Sequence, residues 1–220
     1  MSSIGYFQAL SLIRRTYGAA PPATRFHVLG RFLTCPFLRV LGQLPPGSRV
    51  LDLGAGHGIF AHLALAGGAR SVVAVEPDRR KIFFICPRSG PRPGLSVVGG
   101  YDNAVAGAFD AITLFDVLYR FPTEEWDGFF RSVLARLAPG GVFLIKELDP
   151  ENRVKQFWNR TQERISDRVG LTLGEAWSYE TRGQIRERLL RAGFERFEAV
   201  EIGAGYPHAH ILYKATSSSS

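Results

Sequence analysis

Cysteine and long apolar runs are both scarce in this chain of 220 residues. The two cysteines, Cys35 and Cys86, belong to no C-x-x-C pair or Cys/His cluster, which argues against a disulfide framework and against a metal site. No apolar run approaches the ~20 residues that a membrane span needs. Residues 7–13 are mostly apolar, but this stretch is too short for a signal peptide, and arginines follow it rather than precede it, which is the wrong order. A cytoplasmic protein without a membrane span is therefore expected.

Lysine is rare as well, since only Lys81, Lys146, Lys155 and Lys214 are lysines among 27 basic residues. The net charge of +7 comes from arginines that are scattered along the chain and interleaved with acids, as in residues 180–191. A scattered excess of this kind favours anionic partners in general but forms no nucleic-acid footprint. We therefore expect no specific nucleic-acid partner, and a solvated basic surface explains the charge equally well.

From residue 48 onward, short apolar runs alternate with amphipathic stretches, the pattern of βαβ units around a parallel sheet. Strands are predicted at residues 49–53, 71–75, 95–98, 111–115 and 142–146, and helices at 57–66, 78–86, 123–137 and 151–169. Thr181 and Gln184 form a capping-box pattern that opens a helix ending at Gly193. Residues 197–202 and 210–214 are expected to form an antiparallel pair after that helix.

The chain divides into three parts on this pattern. Residues 1–47 are predicted to be a helical leader that serves as a substrate lid, residues 48–216 a single domain, and residues 217–220 a disordered tail. Residues 26–44 mix apolar side chains with Arg31 and Arg39, and Arg25 directly precedes them. Two accounts fit this mixture: packing against the sheet, or an apolar entrance for an acceptor with arginines for an acidic group.

A glycine-rich turn gives the strongest functional signal. The segment Val50-Leu51-Asp52-Leu53-Gly54-Ala55-Gly56-His57-Gly58 takes a strand through the turn and into a helix. Glycines allow positive φ and a close approach of the backbone to a ligand. The dinucleotide fingerprint G-x-G-x-x-G fails because position 59 is isoleucine, and Asp52 suits a cationic ligand better than a pyrophosphate. Glu76 lies 20 residues after Gly56, at the distance from which an acid can accept hydrogen bonds from both hydroxyls of a ribose.

Four segments in this order resemble the motifs of class I S-adenosylmethionine-dependent methyltransferases: the turn Asp-Leu-Gly-Ala-Gly-His-Gly, Val-Glu-Pro-Asp, Phe-Asp-Ala-Ile-Thr-Leu-Phe-Asp-Val-Leu, and Leu-Ala-Pro-Gly-Gly. The resemblance covers roughly residues 48–147. It implies an α/β fold, a Rossmann-like three-layer sandwich with a mostly parallel seven-stranded sheet and a C-terminal antiparallel hairpin. It also implies S-adenosyl-L-methionine as the cofactor.

The resemblance implies roles for the residues of this chain that match the family's motifs. It places Asp52, Gly54, Ala55, Gly56 and Gly58 along the methionine and ribose of the cofactor, Glu76 at the ribose hydroxyls, Pro77 and Asp102 at the adenine, and Phe115 and Asp116 before the reacting methyl group. Candidate catalytic residues are Asp116, Tyr119 and His27. For each of these a plainer role stays open: Asp116 as a partner of the cofactor's ammonium group, Tyr119 as a packing residue and His27 as a surface or capping histidine.

The function predicted from the sequence is methyl transfer to a small-molecule acceptor that is lipid-like, aromatic or acidic, as in small-molecule metabolism. An RNA methyltransferase and a catalytically silent cofactor-binding subunit are the alternatives. Against a nucleic-acid enzyme, the chain lacks both the Asn/Asp-Pro-Pro-aromatic signature and a Pro-Cys pair. An NAD-dependent reductase is disfavoured by Ile59 and Asp52. The sequence leaves open which atom is methylated and what the oligomeric state is.

Overall fold

A computed structural model describes residues 4–85, 92–100, 105, 107–149 and 180–219. The strands are β1 (Arg49–Leu53), β2 (Ser71–Val75), β3 (Leu95–Val98), β4 (Phe109–Phe115), β5 (Leu137–Leu148), β6 (Arg196–Glu201) and β7 (His210–Thr216). The α-helices are α1 (Tyr6–Thr16), α2 (Pro22–Thr34), α3 (Phe37–Leu41), α4 (Ile59–Ala66), α5 (Arg79–Ile85), α6 (Trp126–Leu134) and α7 (Arg182–Ala192). Two short 3₁₀ turns, Leu118–Arg120 and Thr123–Glu125, follow β4.

The seven strands form one sheet in the order β3-β2-β1-β4-β5-β7-β6. Strands β1 to β5 are parallel, and β7 lies antiparallel between β5 and β6. This confirms the predicted Rossmann-like sheet with its C-terminal antiparallel pair. The strand order reverses between β1 and β4, so the carboxyl ends of these strands form the crevice in which open α/β sheets bind ligands.

Each face of the sheet has its own apolar core. On one face, α6 and α7 pack through residues such as Trp126, Phe130 and Leu189. On the other face, α4 packs together with the leader helices α1 to α3, which contribute buried residues such as Ile13 and Val28. Residues of the leader are therefore part of the hydrophobic core on this face, and they hold α2 beside the ligand crevice.

The largest differences from the predicted boundaries concern the helix at 123–137 and the strand that follows it. The predicted helix 123–137 begins as a 3₁₀ turn, and its helical part ends at Leu134. Leu137 instead pairs with Phe109, and an irregularity between Phe109 and Ala111 lets Val142 resume the ladder, so β5 starts five residues earlier than predicted. Local propensity favoured a helix at Leu137, but pairing with a central strand satisfies its backbone groups.

The first residues of the expected disordered tail are attached to the sheet. Ser217 is buried, its Oγ donates to the carbonyl oxygen of Ala138 at 2.8 Å, and the Gly140 amide donates to the carbonyl oxygen of Ser218 at 2.7 Å. This differs from the disorder expected for residues 217–220. The serines continue beyond β7 and make backbone hydrogen bonds with the first part of β5, which β7 itself does not pair with. Among the described residues, none of the helices has the length and apolar character needed to cross a bilayer.

Candidate active site

The glycine turn between β1 and α4 places three glycines at positive φ, with φ of 67° at Gly54, 59° at Gly56 and 80° at Gly58. The Ala55 amide donates to the carbonyl oxygen of Val75, which fixes the turn against the end of β2. A Cβ at Gly58 would lie 2.8 Å from the Ile85 side chain, whereas a Cβ at Gly56 would meet nothing within 4 Å. Glycine at position 58 is thus explained by packing, and the space over Gly56 is open for a ligand.

Asp52 lies at the base of this crevice with only 1% of its surface exposed. Its Oδ1 accepts a hydrogen bond from the Thr113 hydroxyl at 2.8 Å, while Oδ2 is buried and has no partner among the described residues. Burial raises the pKa of Asp52 to about 7, and the Thr113 hydrogen bond only partly opposes this rise. A buried carboxylate oxygen without a hydrogen-bond partner is suited to bind a cationic group of a ligand.

Glu76 closes the other side of the turn. Its Oε2 accepts from the Gly56 amide at 2.7 Å and its Oε1 accepts from the Asp78 amide at 2.9 Å. These two bonds fix the carboxylate at the end of β2, and each oxygen keeps a lone pair for a further donor. The set of Asp52, the open Gly56 and Glu76 fits a ligand that has an ammonium group at one end and a ribose at the other.

The leader contacts the glycine turn directly. The Tyr17 hydroxyl, on the residue after α1, donates to the carbonyl oxygen of His57 at 2.6 Å. The His57 ring lies 5.0 Å from the His27 ring of α2 and 5.6 Å from the Phe84 ring of α5. Burial lowers the pKa of His57 to about 4, so its imidazole is neutral at physiological pH. Helix α2 therefore runs along the mouth of the crevice.

A cluster of three charged side chains lies where β4 and β5 end beside α2, and we refer to Arg31, Asp116 and Lys146 as the charge cluster. Lys146 has no exposed side-chain surface, and its Nζ donates to both oxygens of Asp116, at 2.6 and 2.8 Å. Arg31 Nη2 donates to Asp116 Oδ2 at 2.6 Å. Two cations therefore share one carboxylate, which leaves the charge cluster with one surplus positive charge.

Asp116 adopts φ of 53°, the only positive φ of a non-glycine residue in the described part of the chain. Such a conformation is costly for a residue with a Cβ and persists only where its surroundings enforce it. Burial acts to raise the pKa of Asp116, but the Lys146 ammonium and the Arg31 guanidinium hold it well below its usual range. Asp116 is thus ionised and fully engaged with cations, which makes it a poor base.

Other buried polar groups surround the charge cluster. Glu147 Oε1 accepts from the Leu118 amide at 2.9 Å, and burial followed by the charge of Asp116 raises the pKa of Glu147. His210, at the start of β7, bonds the carbonyl oxygen of Thr34 through Nε2 at 2.8 Å, and burial lowers its pKa to about 3. Both groups are therefore biased towards their neutral forms, and neither cancels the surplus positive charge.

The three candidate catalytic residues lie in one region of the structure, but they differ in their pairing and protonation. Asp116 is held by the charge cluster. Tyr119 is partly buried beneath Arg120, and burial raises its pKa to about 12, so it remains a neutral phenol. His27 lies on α2, where partial burial and then the charges of Arg31 and Lys81 lower its pKa. Only His27 combines a neutral, proton-accepting form with a position at the crevice mouth.

The remaining predicted cofactor residues are placed as follows. The Phe115 ring packs 4.5 Å from the Phe60 ring and 5.5 Å from the Phe37 ring, within the core of the leader face. Pro77 is exposed directly after Glu76. Asp102 lies outside the described residues, as do Cys86 and the predicted helix 151–169. Within the described ranges, no group of His, Cys, Asp and Glu side chains is arranged to hold a metal ion.

A family model described as "Methyltransferase domain" matches residues 26–199 of the 220. The chain belongs to this methyltransferase family. The predicted family, fold and methyltransferase class are thereby confirmed, and S-adenosylmethionine is the cofactor of this class. The matched range begins within α2 and therefore includes most of the second leader helix.

Two curated relatives differ in the acceptors that their names record. A tRNA U34 carboxymethyltransferase from Methylococcus capsulatus is 25% identical over 173 residues, covering 74% of this chain and 50% of that protein. A ubiquinone biosynthesis O-methyltransferase from Xanthomonas axonopodis pv. citri is 29% identical over 109 residues, covering 48% of this chain and 45% of that protein. The chain thus spans about half the length of the curated relatives it matches.

Solved structures share the fold at low sequence identity. The magnesium protoporphyrin IX methyltransferase from Synechocystis PCC 6803, solved with bound SAH, has a TM-score of 0.61 at 18% identity, with 94% of this chain and 93% of that chain covered. A putative methyltransferase in a complex with the Haloferax volcanii Trm112 methyltransferase activator has a TM-score of 0.69 at 16% identity, with 94% and 97% covered. At these identities the likeness establishes the fold alone.

Thr113 and Tyr17 were not identified from the sequence, because they become site residues only through contacts between elements that are far apart in the chain. The pairing of Arg31 and Lys146 with Asp116 was not predicted either. A lysine inside a central strand must be buried and therefore needs a carboxylate partner, which is the signal that could have indicated this pairing.

Proposed function

We propose that the protein transfers a methyl group from S-adenosylmethionine to a small-molecule acceptor that carries an acidic or ionisable group. The observation that carries this proposal is the charge cluster at the carboxyl ends of β4 and β5, beside the glycine turn. A surplus positive charge in a water-poor crevice attracts an anionic group strongly. Of the acceptor types considered from the sequence, an acidic one fits this electrostatic setting best.

Three residues would hold different parts of S-adenosylmethionine. Asp52 Oδ2 would accept from its ammonium group, Gly56 would let the backbone approach it closely, and Glu76 would accept from its ribose hydroxyls. When bound, S-adenosylmethionine supplies a methyl group that its sulfonium already activates. The protein then has to position the acceptor and exclude water.

Arg31 and His27 lie on the same side of α2, four residues apart, and they supply the remaining functions. Arg31 keeps about a third of its side-chain surface exposed, so its guanidinium can bind an anionic group of the acceptor while it stays paired with Asp116. The neutral imidazole of His27 can take the proton that a hydroxyl or amine acceptor loses. Lys146 fixes Asp116 and does not contact the acceptor.

Transfer of label tests the proposal. The purified protein is incubated with S-adenosylmethionine labelled in its methyl group and, in parallel, with the small-molecule and RNA fractions of a cell extract. We expect label in small molecules that anion-exchange resin retains. Binding of the cofactor without label in either fraction would favour the catalytically silent subunit instead.

RNA is the second candidate acceptor, and the name of the Methylococcus relative together with the net charge of +7 supports it. The same experiment separates the two candidates. Methyl label that still appears in RNA at physiological salt would favour RNA as the acceptor, because non-specific binding to phosphates weakens steeply as salt rises.

Replacing Glu76 with glutamine is expected to weaken binding of S-adenosylmethionine by roughly 5- to 150-fold, or about 1–3 kcal/mol, because a charged acceptor of two ribose hydroxyls becomes neutral. Isothermal titration calorimetry measures the change. Glu187→Gln, on the exposed side of α7, is the matched control and should bind like the parent. Equal affinity of Glu76→Gln and the control would place the ribose elsewhere.

Cofactor affinity is expected to rise as the pH increases from about 6 to about 7.5. Because the pKa of Asp52 is raised to about 7, the group is largely protonated below that pH and must lose its proton to pair with an ammonium. The dissociation constant should fall by up to about tenfold per pH unit below pH 7. Asp52→Asn removes the titration and should give a flat profile; a profile as steep as the parent's would assign the dependence to another group.

A further inference from the structure

Arginines occur along the whole chain, but most of the net positive charge comes from the leader. Residues 1–47 contain five arginines and neither aspartate nor glutamate, whereas the other 173 residues hold 22 basic and 20 acidic residues and are nearly neutral. Arg14 and Arg15 at the end of α1 and Arg25 on α2 are exposed. The leader thus presents a surface whose formal charges are all positive.

Helices α1 and α2 of the leader each carry apolar side chains away from their buried face. On α1 the buried face is formed by Ala9, Leu12 and Ile13, while Phe7 lies on the outer side and the half-buried Leu10 lies between the two, partly packed against the core. Phe7 is 82% exposed. A helix of an ordinary globular protein is apolar on one side only, so a second apolar stripe needs its own explanation.

Helix α2 repeats the arrangement. Val28 and Phe32 are buried, whereas Phe26, Leu29 and Leu33, at spacings of three and four residues, follow the opposite side. Phe26 is 82% exposed and Leu33 46% exposed. We call Phe7, Leu10, Phe26, Leu29 and Leu33 the outer stripe. Exposed apolar side chains grouped in this way mark interaction surfaces.

A surface groove of about 420 Å³ joins the stripe to the arginines. It is lined by Phe7, Leu10, Ser11, Arg14 and Arg15, so apolar side chains form one part and two guanidinium groups another. This pairing matches the boundary of an anionic bilayer, where acyl chains adjoin phosphate headgroups. Helices that lie on membrane surfaces typically combine apolar and basic side chains in this way.

We propose that the outer stripe and its flanking arginines dock the protein on an anionic lipid bilayer. The aliphatic members favour a bilayer over RNA, since the exposed Leu33 and the half-buried Leu29 have no ring to stack on bases and gain from an apolar medium. The inner side of α2 holds Arg31 in the charge cluster, so docking would bring the mouth of the crevice next to the bilayer. The inference does not depend on which acceptor is methylated.

Cosedimentation of the full chain with vesicles tests the docking directly. The probes are vesicles of phosphatidylcholine alone and of phosphatidylcholine with one quarter phosphatidylglycerol. We expect at least tenfold more protein on the anionic vesicles, and a steep loss of binding as salt rises. Equal binding to both vesicle types, or binding to neither, would overturn the proposal.

Matched variants assign the binding to the outer stripe. Phe7→Ser with Phe26→Ser should lower vesicle binding at least fivefold, whereas Val200→Ser, exposed at the far edge of the sheet on β6, should not. Arg14→Glu with Arg15→Glu should also lower it, whereas Arg186→Glu with Arg196→Glu makes the same charge change on α7 and β6 and should leave most of the binding. Equal effects of stripe and control variants would contradict docking through the leader.

Three further results would assign the stripe to another occupant. One is tighter binding to a single-stranded RNA oligomer than to the anionic vesicles at physiological salt. Another is a dimer in light scattering that Phe7→Ser with Phe26→Ser converts to monomer. A third is a drop in the unfolding midpoint of that variant well beyond that of Val200→Ser without vesicles, which would show that the chain itself covers the stripe.

Discussion

Replacing Lys146 with methionine is expected to lower the free energy of unfolding by about 3 kcal/mol, the lower end of the range for a broken buried ion pair. The ammonium is fully buried and donates to both oxygens of Asp116, so its loss leaves a buried carboxylate with one cation instead of two. The effect should not reach the upper end because Arg31 still donates to Asp116. Urea unfolding followed by circular dichroism measures the change.

Lys214→Met is the control for this prediction, since Lys214 is a lysine on the neighbouring strand β7 and is only partly buried. It should cost less than about 1 kcal/mol. Adding Asp116→Asn to Lys146→Met should recover part of the lost stability, because the unpaired charge is then removed as well. If Lys146→Met were no more destabilising than Lys214→Met, the charge cluster would not stabilise the fold.

Replacing Gly56 with valine is expected to weaken binding of S-adenosylmethionine by at least 100-fold, equivalent to about 2.7 kcal/mol. A side chain at this position would occupy the open space over the turn in which the ligand has to lie. Valine at positive φ also strains the backbone, so some loss of folding stability is expected too. Calorimetric titration below the unfolding temperature separates binding from stability.

Gly47→Val controls for the strain. Gly47 has φ of 64°, close to the 59° of Gly56, and likewise has no atom within 4 Å of a Cβ, but it lies in the turn before β1, at the opposite end of that strand. Both variants should lose similar stability, and only Gly56→Val should lose cofactor affinity. Similar affinities of the two variants would mean that the cofactor does not lie over the glycine turn.

The sequence identified those parts of the fold and site that depend on neighbouring residues. Strands β1, β2 and β3 have the predicted bounds, because buried parallel strands are short apolar runs with glycine or proline near their ends. The capping pair Thr181 and Gln184 likewise forms the predicted box at the start of α7. Glu76 meets Gly56 because two parallel strands that are adjacent in the sheet end at the same edge.

Only the tertiary structure determined what lies around those elements. The first five residues of the long strand β5 were not predicted to be part of it, since pairing with β4 outweighed the local helical preference of Leu137. Phe115 and Asp116 are consecutive residues, yet the first packs into the core of the leader face and the second binds two cations. The ionisation of Asp116 depends on Arg31 and Lys146, which lie 85 and 30 residues away in the chain.

The sequence by itself determined the methyltransferase fold, the glycine turn and the acid that faces it, because local spacing controls all three. The tertiary structure alone decided that α2 turns one side to the charge cluster and another to solvent, and that Asp116 stays ionised and paired with two cations rather than free to act as a base. The physical reason is that burial and charge pairing arise from contacts between distant segments. A side chain's protonation state and exposed surface follow from those contacts and not from its neighbours in the chain.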